Sequence, residues 1–209
     1  MDRKEVLEKY ITTVIANYSE DEREEALTSL LLGNWSDTNG WTALSREIQK
    51  EFESEELLLH FSDQKYDGIL RFKLRDDFKG IINEYLSKQT GIEITTGTPD
   101  DLESCPCCGF KTLEKRNDFD ICMVCWWEDD GSDNNVVDKY GIGPNEVADL
   151  TVARFNYLEF GIYNPERNDL KELCDDPKKF KQGRIFKLND KDQLIELNTN
   201  WIGERKTKT

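Results

Sequence analysis

Cys105-Pro106-Cys107-Cys108-Gly109 and, further on, Cys122-Met123-Val124-Cys125 are the residues on which the reading of this chain turns. They form two CxxC pairs, Cys105/Cys108 and Cys122/Cys125, with thirteen residues between Cys108 and Cys122. That is the spacing of a zinc ribbon. A CxxC segment turns tightly enough to aim two thiolates at one ion, and Gly109, just after the first pair, permits the positive φ such a turn needs. The stretch from Phe110 to Ile121 is long enough for a hairpin that brings the pairs together. Four thiolates about 2.3 Å from Zn²⁺ close a tetrahedral shell, which holds structure and leaves no position for a substrate. Cys105, Cys108, Cys122 and Cys125 are therefore the expected ligands of one structural Zn²⁺.

Three alternatives bear on the same residues. Iron in a rubredoxin-like site stays open, because it takes the same donors. Two disulfides would require an oxidising compartment. Redox catalysis by CxxC would require a thioredoxin-like βαβ setting, which the sequence lacks. Cys107 is a spare inside the first pair, read as a small packing residue rather than an exchanging ligand. Cys174 falls at helical spacing from Leu170 and Leu173 and is read as a core thiol.

Outward from the cysteines, the first 95 residues predict a mostly helical domain. Val6, Leu7, Tyr10, Ile11, Val14, Ile15 and Tyr18 make one apolar stripe. Ser19 followed by Glu22 is a capping box for a second helix over Ala26, Leu27, Leu30 and Leu31, with Gly33 as its stop. Asn34–Gly40 reads as a loop, and Thr42 as the cap of a third helix carrying Leu44, Ile48 and Phe52. Residues 65–75, with Ile69, Phe72 and Leu74, read as strand. Phe78, Ile81, Ile82, Tyr85 and Leu86 read as a helix ending near Gly91. Thr95–Asp101, polar and holding Gly97 and Pro99, is the linker. A metal module is expected over 103–165, with a helix capped by Asn145 and closed by Gly161. A C-terminal extension follows over 166–209, with a short helix near Leu170–Cys174 and strands at Arg184–Leu188 and Leu194–Leu197. The fold class is α+β.

Composition narrows the function. The 209 residues are 37% hydrophobic, 34% charged and 11% aromatic, as expected of a globular chain with a highly charged surface. The net charge is −15, which would mostly repel phosphates. A basic partner suits it better, and nucleic acid is not the expected one. Met1-Asp2-Arg3-Lys4-Glu5 opens on charge, with no secretory h-region, and no apolar run is long enough to span a bilayer, so the expectation is cytoplasmic.

From Cys105 onward the chain resembles the bacterial cysteine-rich CPCC family. The likeness lies in Cys105 to Phe110, Thr112-Leu113, Ile121 to Gly131, Gly143-Pro144-Asn145 and Asn156 to Gly161. Met123 departs from it, standing where a proline is more typical. The resemblance implies a small metal-stabilised domain and brings no enzymatic activity. Some members are expected beside secreted toxins as immunity proteins. The first hundred residues resemble no family.

Between Asn117 and Asp138 lie seven acidic residues and no Lys or Arg: Asp118, Asp120, Glu128, Asp129, Asp130, Asp133 and Asp138. With Trp127 beside them they suggest an electronegative face for a basic protein such as a toxin domain. They lack the ligand rhythm of an EF-hand. His60, the one histidine, sits among Leu57–Leu59 and Phe61 and is read as structural. No nucleophile motif, phosphate loop or zinc-deaminase signature is present, so no catalysis is expected. The reading is a non-catalytic, protein-binding factor, foremost an immunity protein. The alternatives are a zinc-ribbon adaptor in nucleic-acid handling, using Lys178-Lys179-Lys181-Arg184 and Arg205-Lys206-Lys208, or an unrecognised hydrolase.

Overall fold

The computed structural model describes residues 1–31, 41–42, 44–54, 62–135, 144–145 and 149–204. Gly33, the loop at Asn34–Gly40, His60, Asp138 and Arg205-Lys206-Lys208 lie outside these, as do the side chains of Leu31 and Phe52. The chain divides into two compact units, Met1–Lys79 with Asn83–Pro99, and Gly80–Ile82 with Asp100–Thr209. Residues 166–209, expected as a separate extension, fall within the second.

The first unit is helical: α1 (Arg3–Asn17), α2 (Glu20–Leu31), α3 (Arg46–Glu53), α4 (Asp67–Asp77) and α5 (Asn83–Thr90). Asp2 caps α1 by accepting from the Lys4 N–H, and Val6, Ile11 and Ile15 bury its stripe. The capping box at α2 forms in both directions. The Ser19 N–H donates to Glu22 at 2.8 Å, and the Glu22 N–H donates to the Ser19 hydroxyl at 3.2 Å. Ser45, not Thr42, caps α3, accepting from the Ile48 N–H.

The strand expected over 65–75 is helix α4. Ile69, Leu70 and Leu74 are its buried positions, an i, i+1, i+5 stripe that the Phe72/Leu74 alternation disguised. The helix expected from Phe78 begins only at Asn83. Gly80–Ile82 belong to the second unit, and the Ile82 N–H bonds the Lys179 carbonyl at 2.9 Å instead of a helical one. α1 packs on α4 and α5, with Tyr10 between Phe78 and Tyr85 at ring separations of 5.4 and 6.4 Å.

The second unit holds β1 (Glu103–Ser104) paired antiparallel with β2 (Lys111–Leu113), then α6 (Leu150–Phe160), α7 (Asn168–Lys171) and the antiparallel sheet β3 (Phe186–Leu188), β4 (Leu194–Glu196), β5 (Ile202–Gly203). Asp149 caps α6, not Asn145, and Gly161 ends it at φ 77°. Phe155 of α6, Phe186 and Leu194 form a small core with Trp201 against it. The architecture is α+β, helix-rich in its N-terminal part. Among the described residues no helix is long and apolar enough to cross a membrane.

Leu70, fully buried in α4, tests the first core. Leu70→Ala is expected to destabilise the chain by about 2–5 kcal/mol in denaturant melts. A loss under about 0.5 kcal/mol, the range of surface substitutions, would contradict the packing.

Candidate metal centre

Cys105, Cys108, Cys122 and Cys125 are all buried, and their sulfurs lie within 4.8 Å of one another. Two knuckles with one backbone pattern place them. In the first, the Cys105 N–H donates to the Phe110 carbonyl at 2.8 Å and the Gly109 N–H to the Cys105 carbonyl at 2.9 Å. In the second, the Cys122 N–H donates to the Trp127 carbonyl at 2.9 Å and the Trp126 N–H to the Cys122 carbonyl at 2.8 Å. The fifth residue of each turn is left-handed, Gly109 at φ 84° and Trp126 at φ 62°. Glycine takes that conformation freely, whereas Trp126 takes it against steric resistance.

Cys105 and Cys125 are 3.7 Å apart, and Cys108 and Cys122 3.5 Å. Both distances are far too long for a disulfide bond. Burial opposes ionisation of all four thiols and holds Cys105, Cys108 and Cys125 above the ordinary range. At Cys122 burial is outweighed by hydrogen bonds from Cys105, Cys108, Cys125 and Thr112, so its thiol falls well below that range. The Thr112 hydroxyl donates to the Cys122 sulfur at 3.0 Å. A cation among the four sulfurs would favour their thiolate forms against the cost of burial. This donor set fits a thiophilic metal ion, held entirely by sulfur.

Surrounding elements grip both knuckles by their carbonyls. The Tyr163 and Asp175 N–H groups donate to Cys125 and Met123 at 3.0 and 2.8 Å. On the first knuckle, Arg154 of α6 donates from Nε to the Pro106 carbonyl at 2.7 Å and from a terminal nitrogen to Asn134 at 2.8 Å. Arg154 is fully buried, its guanidinium 4.1 Å from the Phe186 ring centre and 4.4 Å from that of Trp201. Burial, then the charge of Arg184, lowers its pKa to about 10, which still leaves it cationic at neutral pH. Cys107, expected as a small packing residue, is fully buried. Cys174 is half-buried.

The acidic residues do not form the single open face expected of them. Asp129 is fully buried, accepting from Arg116 Nε at 2.8 Å and from the Asn117 N–H at 2.7 Å. Asp130 is buried and accepts from the Ser132 N–H at 2.9 Å. Asp133 meets Arg116 at 3.1 Å, Arg184 at 2.8 Å and Arg154 at 3.7 Å. Burial alone would raise the Asp133 carboxyl, but Arg184, the Asn134 N–H and Arg116 hold it down at about 2. Trp127 is 1% exposed and stacks edge-on against Tyr163 at 6.1 Å, so it is packing and not an exposed anchor. Asp120 accepts from the Glu114 and Lys115 N–H groups at 2.9 and 3.1 Å. Asp118 is exposed, and Glu128 half-buried. Asn145, read as a helix cap, instead brackets the Glu128 peptide, accepting from its N–H and donating to its carbonyl at 2.9 and 2.8 Å. The neutralising cations come from Arg116, one position before the acidic run, and from Arg154 and Arg184 far along the chain.

Residues 103–179 match the family model described as Cysteine-rich CPCC. This part of the chain is thus similar to the cysteine-rich CPCC family, and its four-cysteine cluster could hold a metal ion. The N-terminal part matches no family model, and no curated protein and no solved structure matches the chain.

Two substitutions test the centre. A Cβ at Gly109 would run into the Arg184 carbonyl, whereas one at Gly161 meets open space. Gly109→Ala should therefore lower the melting temperature clearly more than Gly161→Ala, although both residues have positive φ. Arg154→Met should cost about 2–4 kcal/mol, because it strips partners from the buried Pro106 carbonyl and from Asn134. Equal melts for the glycine pair, or a neutral Arg154→Met, would contradict the geometry.

Proposed function

We propose that this chain is a non-catalytic protein-binding factor built on one structural zinc ion, and specifically an immunity protein that neutralises a basic toxin by covering its phosphate-binding surface. The buried four-sulfur cluster carries the metal part of the reading. Four sulfurs about 2.3 Å from Zn²⁺ stand roughly 3.8 Å from one another. The 3.7 and 3.5 Å separations are close to that edge. Zinc has no d-electron geometric preference and tolerates the small inequality. The four thiolates fill its shell, so its role is to hold the knuckles and not to activate water.

The net charge of −15 supports the partner part. A nuclease toxin is cationic where it binds phosphates, and an acidic protein approaches such a surface quickly and occupies it by complementarity. Asp118, Asp120 and Glu128 remain on the outside of the metal domain for that role, while Asp129, Asp130 and Asp133 stabilise it from within. The resemblance to CPCC proteins, some of them expected beside toxins, points the same way.

Elemental analysis of the purified, reduced protein should find one zinc per chain, lost in Cys122→Ser with a lower melting temperature. Iron, or no metal, would refute the first part. Co-expression with the toxin domain of an adjacent reading frame should give a complex that weakens with salt and with Asp118→Lys plus Glu128→Lys. Binding indifferent to both would refute the acidic-surface mechanism.

A further inference from the structure

The second knuckle is approached by an irregular segment whose apolar side chains face outward. Along Phe119-Asp120-Ile121-Cys122-Met123 the apolar side chains face out, with exposures of 60% at Phe119, 46% at Ile121 and 37% at Met123. The polar and ligand positions turn in: Asp120 caps the Glu114–Lys115 turn and Cys122 enters the metal cluster. The register is fixed by the bridge between Ile121 and Glu128 and by the Cys122 N–H bond to Trp127. The metal centre thus holds three large apolar residues in water.

Two further observations mark this row. Phe119 sits at φ 61°, a left-handed conformation that costs about 1–2 kcal/mol for a side chain of its kind. Its N–H is pinned to the Asp129 carbonyl at 3.1 Å. Secondly, the row borders a cleft of about 190 Å³ whose lining is mixed, with Ile121, Trp126, Tyr163 and Leu170 beside the charged Glu128 and Arg167, and the indole N–H of Trp126 is buried without a hydrogen-bond partner among the described residues. Across it, the Asp175 N–H bond to Met123 brings in the segment carrying Leu173, which is 48% exposed.

The sign of the rim selects the occupant. Glu128 lines the cleft and Asp120 lies within the row, and neither takes part in a salt bridge among the described residues, whereas Arg167 on the same cleft is paired with Asp169 at 2.8 Å. Burial, and then the charge of Asp130, raise the Glu128 carboxyl. A second copy of a chain with net charge −15 would add like charge to that rim, whereas a cationic segment would discharge it. We propose that Phe119, Ile121 and Met123, with the cleft beside them, dock a basic segment of a partner protein, apolar side chains seating on the row and Lys or Arg on its rim. This deepens the protein-binding reading above and locates its energetic centre on the apolar row.

The experiment uses the full, metal-loaded chain and a displayed library of random linear peptides. Enriched peptides should combine large apolar residues with Lys or Arg, and should shift the amide resonances of residues 119–123 and 170–173. Ile121→Ser should weaken them about tenfold or more, the scale of an interface hot spot. Phe119→Gly separates binding from folding, since it relieves the backbone strain. Its melting temperature should be unchanged or higher while its peptide affinity falls by a similar factor. Enrichment of acidic peptides, shifts confined to other residues, or full affinity in both variants would overturn the proposal. So would concentration-dependent dimerisation abolished by Ile121→Ser, which would give the row to a second copy. If a toxin complex forms but ignores both variants, the row is wrong and the protein-binding reading stands. If the peptides map to the row and no toxin binds, the row stands and the immunity reading falls.

Discussion

Four thiols buried within 4.8 Å of one another cannot all ionise unless a cation stands among them. Burial pushes three of them up, and only Cys122, supplied with hydrogen bonds from its neighbours and Thr112, moves the other way. Everything around the cluster is arranged to keep those sulfurs in place. The knuckles share a hydrogen-bond pattern, and their carbonyls are held by Arg154, Tyr163 and Asp175.

Arg154 ties that cluster to the C-terminal sheet. Its guanidinium reaches the first knuckle with one edge and lies against Phe186 and Trp201 with its faces. Asp133 and Glu196 join through Arg184, so charges from Asp133 to Glu196 close one network. Buried ion pairs of this kind are poor sources of net stability, but removing one member leaves its partners stranded. The network therefore fixes which residues around the cysteine cluster face inward, and by subtraction which carboxylates and apolar side chains stay at the surface.

The four-cysteine cluster was legible in sequence because its signal is local: two CxxC pairs, a glycine after the first, and a hairpin's length between them. The capping box at Ser19 and the Gly161 stop were legible for the same reason. Two elements of the first unit were not. Phe72 and Leu74 alternate like a strand while Ile69, Leu70 and Leu74 carry the helical stripe, and Gly80–Ile82 leave the helix that their apolar pattern suggests. The acidic run misled through its edges. Its count began one residue after Arg116, and no local pattern tells that Arg154 and Arg184 return to Asp133. Nor does sequence alone show that the Phe119–Met123 row faces water, since alternation gives two faces and only the thiol at Cys122 decides which is inside.

X-ray absorption at the metal edge of the purified protein tests the central claim most directly. Four sulfur scatterers at about 2.3 Å from a single zinc, with no oxygen or nitrogen in the first shell, is the expected result. A mixed shell, or a spectrum unchanged when Cys122 is replaced by serine, would contradict it.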